Sequence, residues 1–507
     1  MSDGEPLRAW YLPPALEAGL ETTAHRFGPP HDSVDLALPV VQPADVARWI
    51  DALVAARRAG LVSRRTRAVV RPLERVARRL LDAGDPARRA AIRALSRAGR
   101  FAPAEIARAL DDALAPLSRG GLARWLAAEL GSAAALDRTT PRREGPARRA
   151  HGPEWMLQIY AGNVPAIPIW PMFAALLLRS AVLAKTASSE PLLAPLLART
   201  IAEEDPELGA CLAVVWWKGG AGDLERATIP RAPAVLAFGG EEAIAEIARS
   251  ARVGARVVLH GPRVSAACVA REALTPAGAR DAARRAAADI ALYDQRGCLS
   301  PHALYVERGG RVSPEEFAAR LGEALQEAGR GLPPSRTTEE EARARLYRAH
   351  AEFEAAARGD ASDVIAPQGG VGYAVVVERG GRFEPGPTHR VVRVHPVEAL
   401  EEAFEALRPQ ADLLEAVALE GRGARRARLV AALATLGLPR VAALGRLQQP
   451  SPLGAHGGLG LLAPFVRWTT VDPARAARGG RGARGGSASR SSGRESRRGG
   501  RAARRSR

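Results

Sequence analysis

Apolar positions recur every three or four residues from Ala44 to about Leu130, in runs such as ADVARWIDALVAARRAGL and AEIARALDDALAPL. That period predicts helices, with the arginines on their solvated faces. Residues 1–43 are Pro-rich and irregular, with a strand-like piece at Val34–Val41. From about Leu157 the pattern changes. Short apolar runs (LQIYA, AVLAK, CLAVVWW, APAVLAFGG, RVVLHG) alternate with helical ones (AALLLRSA, LLAPLLARTIAEE, EEAIAEIARSA). Such alternation predicts an α/β fold, a parallel sheet covered by helices. It continues through a helix around Asp281–Leu292, the strand HALYVE, the helix PEEFAARLGEALQEAG and strands at 371–378 and 390–394. A mixed section runs from ADLLEAVALEG to FVRWTTVD. Residues 137–153, polar and broken by Pro and Gly, read as a connection between subdomains.

The longest apolar stretch, Val164–Ala184, contains Pro165, Pro168, Pro171 and Arg179. Early prolines favour a loop followed by a buried helix over a membrane span. The N-terminal MSDGEPLRAW has no basic segment leading into an apolar run, so no secretory signal is expected and the protein reads as cytoplasmic. At 507 residues the chain has room for two large domains or about three of ordinary size.

Charge changes the picture in one place. The net charge is +18, but between Arg475 and Arg507 twelve arginines face a single acid, Glu495. The strong positive charge therefore belongs to a Gly/Ser/Ala/Arg tail, 473–507. Without large apolar residues that tail is expected to be disordered, and to touch nucleic acid or anionic lipid nonspecifically. Only two cations in the whole chain are lysines, Lys185 and Lys218, which makes each worth inspecting.

Three cysteines are too few for a disulfide framework, and no Cys/His cluster points to a metal. Cys211 lies in the apolar run CLAVVWW and Cys268 in SAACVAREAL, read as a helix; both are assigned to the core. Cys298 differs. It sits in the polar loop Tyr-Asp-Gln-Arg-Gly-Cys-Leu-Ser-Pro-His, open equally to a nucleophile and to a plain loop cysteine. Asn163, in Ala161-Gly162-Asn163-Val164-Pro165, has an amide able to donate to an oxyanion, although Gly-Asn is also an everyday turn pair. Lys185 closes a short strand and is followed by hydroxyls including Ser188, a pattern suited to ribose or phosphate. Gly239 and Gly240 lead a strand into a helix N-terminus, which suits a dinucleotide or merely a tight turn.

Taken together, IYAGNVPAIP, AVLAKTASSEP, LAFGGEEAI, HGPRVS, DQRGCLSPHALYVE, PRVAALGRL and LLAPFVRWTTVD resemble the aldehyde dehydrogenase superfamily. Within it the wording is closer to the LuxC-like acyl-CoA reductases, the fatty-acid reductase components of luminescence systems. The resemblance covers about 150–472. It implies an aldehyde dehydrogenase-like fold with a Rossmann-type cofactor domain and a second α/β catalytic domain. The expected division is a mostly helical region at 1–150, a dinucleotide-binding domain at 151–265, a catalytic thiol domain at 266–395 and a completing section at 396–472.

By this resemblance Cys298 takes the acyl group from a thioester, and Asn163 with the Cys298 N–H holds the oxyanion. Lys185 binds cofactor ribose, and Gly239 and Gly240 pass near its pyrophosphate or nicotinamide. The implied reaction reduces a long-chain acyl-CoA or acyl-protein thioester to fatty aldehyde. Implied partners are an acyl-protein synthetase or thioesterase of a fatty-acid reductase complex, and a second copy of the chain in a homo-oligomer. Hydrolytic aldehyde dehydrogenases carry a glutamate base in Glu-Leu-Gly-Gly-Lys, whereas the matching stretch Val257–Arg263 has no carboxylate, which favours reduction. NAD-preferring relatives place a glutamate soon after the lysine. Here Ser188 stands near that place with Glu190 two residues on, so NADPH is expected.

Two departures stand out. Where LuxC-like proteins tend to carry Trp-x-His-Asp-Gly, this chain has Leu453-Gly454-Ala455-His456-Gly457-Gly458, without the aspartate. His302 replaces a residue that is usually glutamine, and is open to a proton-donor or a structural role. The competing readings are an aldehyde dehydrogenase-like oxidoreductase of a small aldehyde, and a protein acting through nucleic-acid binding by its tail.

Overall fold

The computed structural model describes residues 6–27, 33–98, 101–360, 363–367, 372–380 and 382–472. The basic tail, 473–507, lies outside the described residues. The chain begins with three strands, β1 (Leu7–Arg8), β2 (Thr22–Phe27) and β3 (Val34–Pro39), in a small sheet of order β1-β3-β2. Helices follow at Pro43–Ala56, Thr66–Leu81, Pro86–Arg97, Pro103–Leu114 and Gly121–Leu130. Three of them start on proline, whose fixed φ suits the first helical position and whose missing N–H costs nothing there. Their apolar faces, including Trp49, Leu73, Leu110 and Trp125, join the largest core.

After β4 (Ala147–His151) come β5 (Trp155–Ile159), β6 (Ala181–Lys185), β7 (Leu212–Val215), β8 (Ala234–Phe238) and β9 (Arg256–His260). These last five form a wholly parallel sheet of order β7-β6-β5-β8-β9. Gly261-Pro262-Arg263 alone separates β9 from β10 (Val264–Val269), the first strand of a second sheet. Its other members are β11 (Pro301–Glu307), β12 (Val364–Ile365), β13 (Ala374–Val377), β14 (Val391–Val397), β15 (Leu414–Glu420) and β16 (Arg440–Ala442). The order is β12-β13-β14-β11-β10-β15-β16, parallel except for the β12–β13 pair. Finally β17 (Arg467–Val471) returns to pair antiparallel with β4.

The second sheet shows the strand period directly. Ala267 and Val269 of β10 pack with the helices Pro276–Ala291 and Pro314–Gly331, while Ala266 and Cys268 face the helices Leu400–Leu407 and Gly423–Ala434. Burial on both faces explains why such strands read as unbroken apolar runs.

Three readings of the sequence change. Cys268 is buried in the core, but on the strand β10 rather than on a helix; Ser-Ala-Ala-Cys is helix-prone in isolation, and the sheet context overrides that propensity. Residues 147–151, read as connection, form β4, whose partner lies more than 300 residues away and leaves no local pattern. A helix at Thr338–Ala357 lies where no element was expected; it buries only Ala344, Ala351 and Ala355, so its apolar stripe is too thin to register. The stretch Val164–Ala184 does resolve into a loop and the buried helix Ile169–Leu177. Among the described residues no helix is long and apolar enough to cross a membrane.

Candidate active site

In the five-stranded sheet the chain starts at the centre (β5), moves out one way (β6, β7), then crosses to the other side (β8, β9). Loops leaving β5 and β8 must therefore diverge, which opens a crevice at the carboxyl ends of the strands. The β5 loop carries Asn163, and the β8 loop carries Gly239 and Gly240. Opposite them, the loop between the helix Pro276–Ala291 and β11 carries Cys298. All four line one cavity of about 540 Å³, with Val164, Ile167, Trp170 and Leu461 among its apolar walls.

The Cys298 loop is held from several sides. Ser265 Oγ donates to the Cys298 carbonyl at 2.8 Å, and Asn163 Nδ2 donates to the Arg296 carbonyl at 2.9 Å. Gln448 Nε2 donates to Ser300 Oγ at 2.8 Å. A side chain at Gly297 would place its Cβ 3.2 Å from Val164 Cγ2, so glycine lets the two loops close. Before the loop, Tyr293, Asp294 and Gln295 are all left-handed, with φ of 56°, 51° and 62°. Asp294 is buried against Arg390 (2.7 Å), Arg336 (3.3 Å) and His389 (3.4 Å). The hydrogen bond with His389 and the charges of Arg390 and Arg336 hold its carboxyl below the usual range despite burial.

The Cys298 thiol is partly exposed at the cavity wall, yet burial by its surroundings, reinforced by the charge of Glu415, pushes its pKa up to about 12. Cys211 and Cys268 are fully buried and pushed equally high. Among the three, access to the cavity distinguishes Cys298.

Lys185 and Ser188 do not line the cavity. They stand further along the same sheet edge, where Lys185 ends β6 with its ammonium 5.8 Å from the Trp217 ring. Burial lowers its pKa, and no acidic group lies within ion-pair distance among the described residues. Ser188 is exposed and accepts a hydrogen bond from the Trp216 indole at 3.2 Å. Glu190 is buried and accepts the Leu192 and Leu193 N–H groups at 2.8 Å, so its charge is spent on a helix start. Lys218 is exposed. His302 is buried on β11; its Nδ1 accepts the Gly386 N–H at 3.0 Å and burial pushes its pKa down to about 4, a structural role.

Reading of the sequence missed a cluster on the cavity wall. His260 at the end of β9 stacks on Phe238 (4.7 Å between ring centroids) and meets His456 edge-on (4.5 Å). His456 Nδ1 lies 3.6 Å from the buried Glu415, which also accepts the Gly457 N–H at 2.9 Å and faces Arg263 at 3.6 Å. Nothing local marks Glu415, a lone acid in the apolar run LLEAVALE.

The residues present suit a dinucleotide. Lys185 offers an ammonium that makes no ion pair among the described residues, Glu225 acting on it only at longer range, and Gly240 begins the ten-residue helix Glu241–Ser250 with no side-chain cap on its first N–H groups. A Cβ at Gly240 would meet nothing within 4 Å, so the crevice is open there. Glu241 and Glu242 lie in the helix's first turn, so no side-chain positive charge is added there.

Solved structures with this architecture include an oxidoreductase from Marinobacter aquaeolei (TM-score 0.66, 17% identity, 93% of this chain and 99% of that one). An indole-3-acetaldehyde dehydrogenase complexed with NAD+ matches at TM-score 0.66 with 16% identity over 92% of this chain and 98% of that one. The fold is that of the aldehyde dehydrogenases. Among curated proteins, a long-chain acyl-protein thioester reductase of Photorhabdus laumondii is 32% identical over 211 residues, 41% of this chain and 42% of that protein. Another, from Vibrio harveyi, is 28% identical over 240 residues, 46% of this chain and 49% of that protein. The chain thus matches somewhat under half the length of each of these relatives. The family model described as acyl-CoA reductase (LuxC) matches residues 61–468, which takes in both large sheets, the Cys298 loop and the start of β17. With a cysteine set opposite the switch point of a parallel sheet and that model running through nearly every described element, the chain belongs to the LuxC family of acyl-CoA reductases.

Proposed function

We propose that the protein reduces a long-chain acyl thioester, carried on coenzyme A or on a protein, to the fatty aldehyde, with NADPH and through an S-acyl intermediate on Cys298. The observation that carries the reading is the placement of Cys298 on the cavity at the sheet's switch point, facing Asn163 and apolar walls. The names of the relatives carry the acyl-protein thioester as substrate.

In this reading the Cys298 sulfur attacks the thioester carbonyl, a sulfur–carbon bond forms, and the donor thiol leaves with the proton. Asn163 uses one amide hydrogen on the Arg296 carbonyl; its second, with the Cys298 backbone N–H, stabilises the oxyanion. Lys185 and the Gly239–Gly240 turn hold the dinucleotide, which when bound supplies the hydride that reduces the acyl carbon. Collapse of the thiohemiacetal then releases aldehyde and regenerates the cysteine. The sole acidic residue lining the cavity among the described residues is Asp112, paired with Arg108 at 2.6 Å. Water near the acyl group thus lacks a free carboxylate base among the described residues. Ser188 is exposed and Glu190 is turned inward onto the Leu192 and Leu193 N–H groups, so neither is a carboxylate facing a 2′-phosphate, the ground for preferring NADPH.

The test is loss of reduced-nicotinamide absorbance with a chain-length series of acyl-CoAs, wild type beside Cys298→Ala. Turnover in wild type alone, best with long chains and NADPH, is the expected result. Equal rates in both proteins overturn the assignment of Cys298.

A further inference from the structure

We propose that His456 is the proton acceptor for the Cys298 thiol and that Glu415 positions it. The proposal rests on the thioester-reductase reading for its biological use, but not for its test.

The geometry is specific. His456 and Leu459 exchange backbone hydrogen bonds (2.8 and 3.1 Å) around Gly457 and Gly458, both left-handed at φ 58° and 81°. This tight turn fixes the base of the His456 side chain. A Cβ at Gly457 would come 3.1 Å from His260 Nδ1, so the glycine also admits the imidazole stack. The Gly457 N–H donates to Glu415, which anchors the turn to β15. The acid missing from this segment is thereby supplied from across the fold.

Glu415 is buried and does not line the cavity, whereas His456 and Cys298 both do. The carboxylate therefore reaches the cavity through the imidazole, while its charge also raises the thiol pKa directly. With Nδ1 turned to Glu415, Nε2 is the nitrogen left to exchange a proton. A cysteine whose surroundings keep it protonated needs such an acceptor as its sulfur attacks. In acyl transfer the Cys298 sulfur bonds to the carbonyl carbon and its proton passes to His456. The carbonyl carbon then parts from the donor sulfur, which takes that proton and leaves as a thiol. No oxidant or reductant enters this step.

The groups facing His456 are Glu415, Arg263 and His260, and Cys298 lines the same cavity. Burial and Arg263 push the His456 pKa below its ordinary value, and Glu415 opposes them. His260 is pushed down to about 3, so it stays neutral through the range of interest.

The test is alkylation of the full chain by iodoacetamide, without substrate or dinucleotide, as a function of pH. Cys298→Ala serves as blank for the two buried cysteines. Wild type is expected to show a rate that rises through an inflection below about pH 6.5, the ordinary histidine value, and then levels. His456→Gln loses the inflection and is roughly a hundredfold slower near neutrality. Glu415→Gln keeps an inflection but moves it to lower pH, because removing the negative charge disfavours the imidazolium; a purely structural role does not move it. An unchanged profile in His456→Gln overturns the proposal. If that variant does not fold, an unmoved inflection in Glu415→Gln overturns it instead. Reductase turnover combined with an unaltered His456→Gln profile removes only the proton acceptor. The expected profile in a wild type that reduces no acyl thioester removes only the reductase reading.

Discussion

At the scale of single residues, the three thiols share nearly the same acidity because burial governs all of them, so reactivity at Cys298 rests on access and on neighbours. Asn163 is the neighbour with two tasks. Its amide ties the β5 loop to the carbonyl of Arg296, and the residue lines the cavity. Asn163→Ala is expected to lower kcat about a hundredfold through loss of an oxyanion donor. Removing the tie lowers stability by about 1 kcal/mol. Steady-state kinetics beside a urea titration separate the two, and a kcat within twofold of wild type removes Asn163 from the oxyanion site. Asn163, Gly239, Gly240 and Cys298 were legible because each sits in a loop whose local chemistry is unusual. His260 and Glu415 were not, since a histidine at a strand end and an acid in an apolar run acquire meaning only when β9 and β15 bring them together.

At the scale of elements, the Cys298 loop is entered through a left-handed triplet, Tyr293-Asp294-Gln295, and faces a second one, Thr388-His389-Arg390 (φ 67°, 59° and 62°). Non-glycine residues in this region cost about 1–2 kcal/mol each, so something must hold both segments. Asp294 does so, drawing Arg390, Arg336 and His389 around one carboxylate, and the Asp294 carbonyl accepts the His389 N–H at 3.2 Å. Asp294→Asn leaves the fully buried Arg390 guanidinium without its counter-charge and is expected to destabilise by about 3–5 kcal/mol. The midpoint of chemical denaturation measures this; a loss below about 1 kcal/mol shows that the triplets are held by other contacts. The strands of the five-stranded sheet were readable because each is a short apolar run closed by Gly, Lys or a turn. Those that were missed, β4 and the true state of Cys268 on β10, depend on partners remote in sequence.

At the scale of the whole molecule, the cavity lies where the two parallel sheets meet, with Gly261-Pro262-Arg263 joining them directly. The charge that dominates the composition lies elsewhere, in twelve arginines after residue 474. Deleting 473–507 is expected to leave thioester reduction within twofold of wild type while abolishing salt-sensitive retention on single-stranded RNA. Every arginine–phosphate pair removed with the tail flattens the salt slope by about 0.7. Filter binding across a salt series, beside the reductase assay, reads both; loss of turnover on deletion makes the tail part of the enzyme.

The pairing of β17 with β4 has a consequence for how the chain reaches this state. Trp468 stands opposite Ala150, and nearby Glu129 accepts the N–H groups of Leu461, Leu462 and Ala463 while its neighbour Trp125 donates to it at 2.6 Å. The helical region thus finishes its hydrogen bonding only with residues made some 330 positions later. Loop closure over such a span is slow, and pairings of high sequence separation form last. During synthesis the helices can collapse and the five-stranded sheet can form, but the Glu129 carboxylate and the edge of β4 wait for residues 461–471. The nascent chain therefore exposes an unpaired strand edge at β4 until β17 has been made, a template for pairing with another chain.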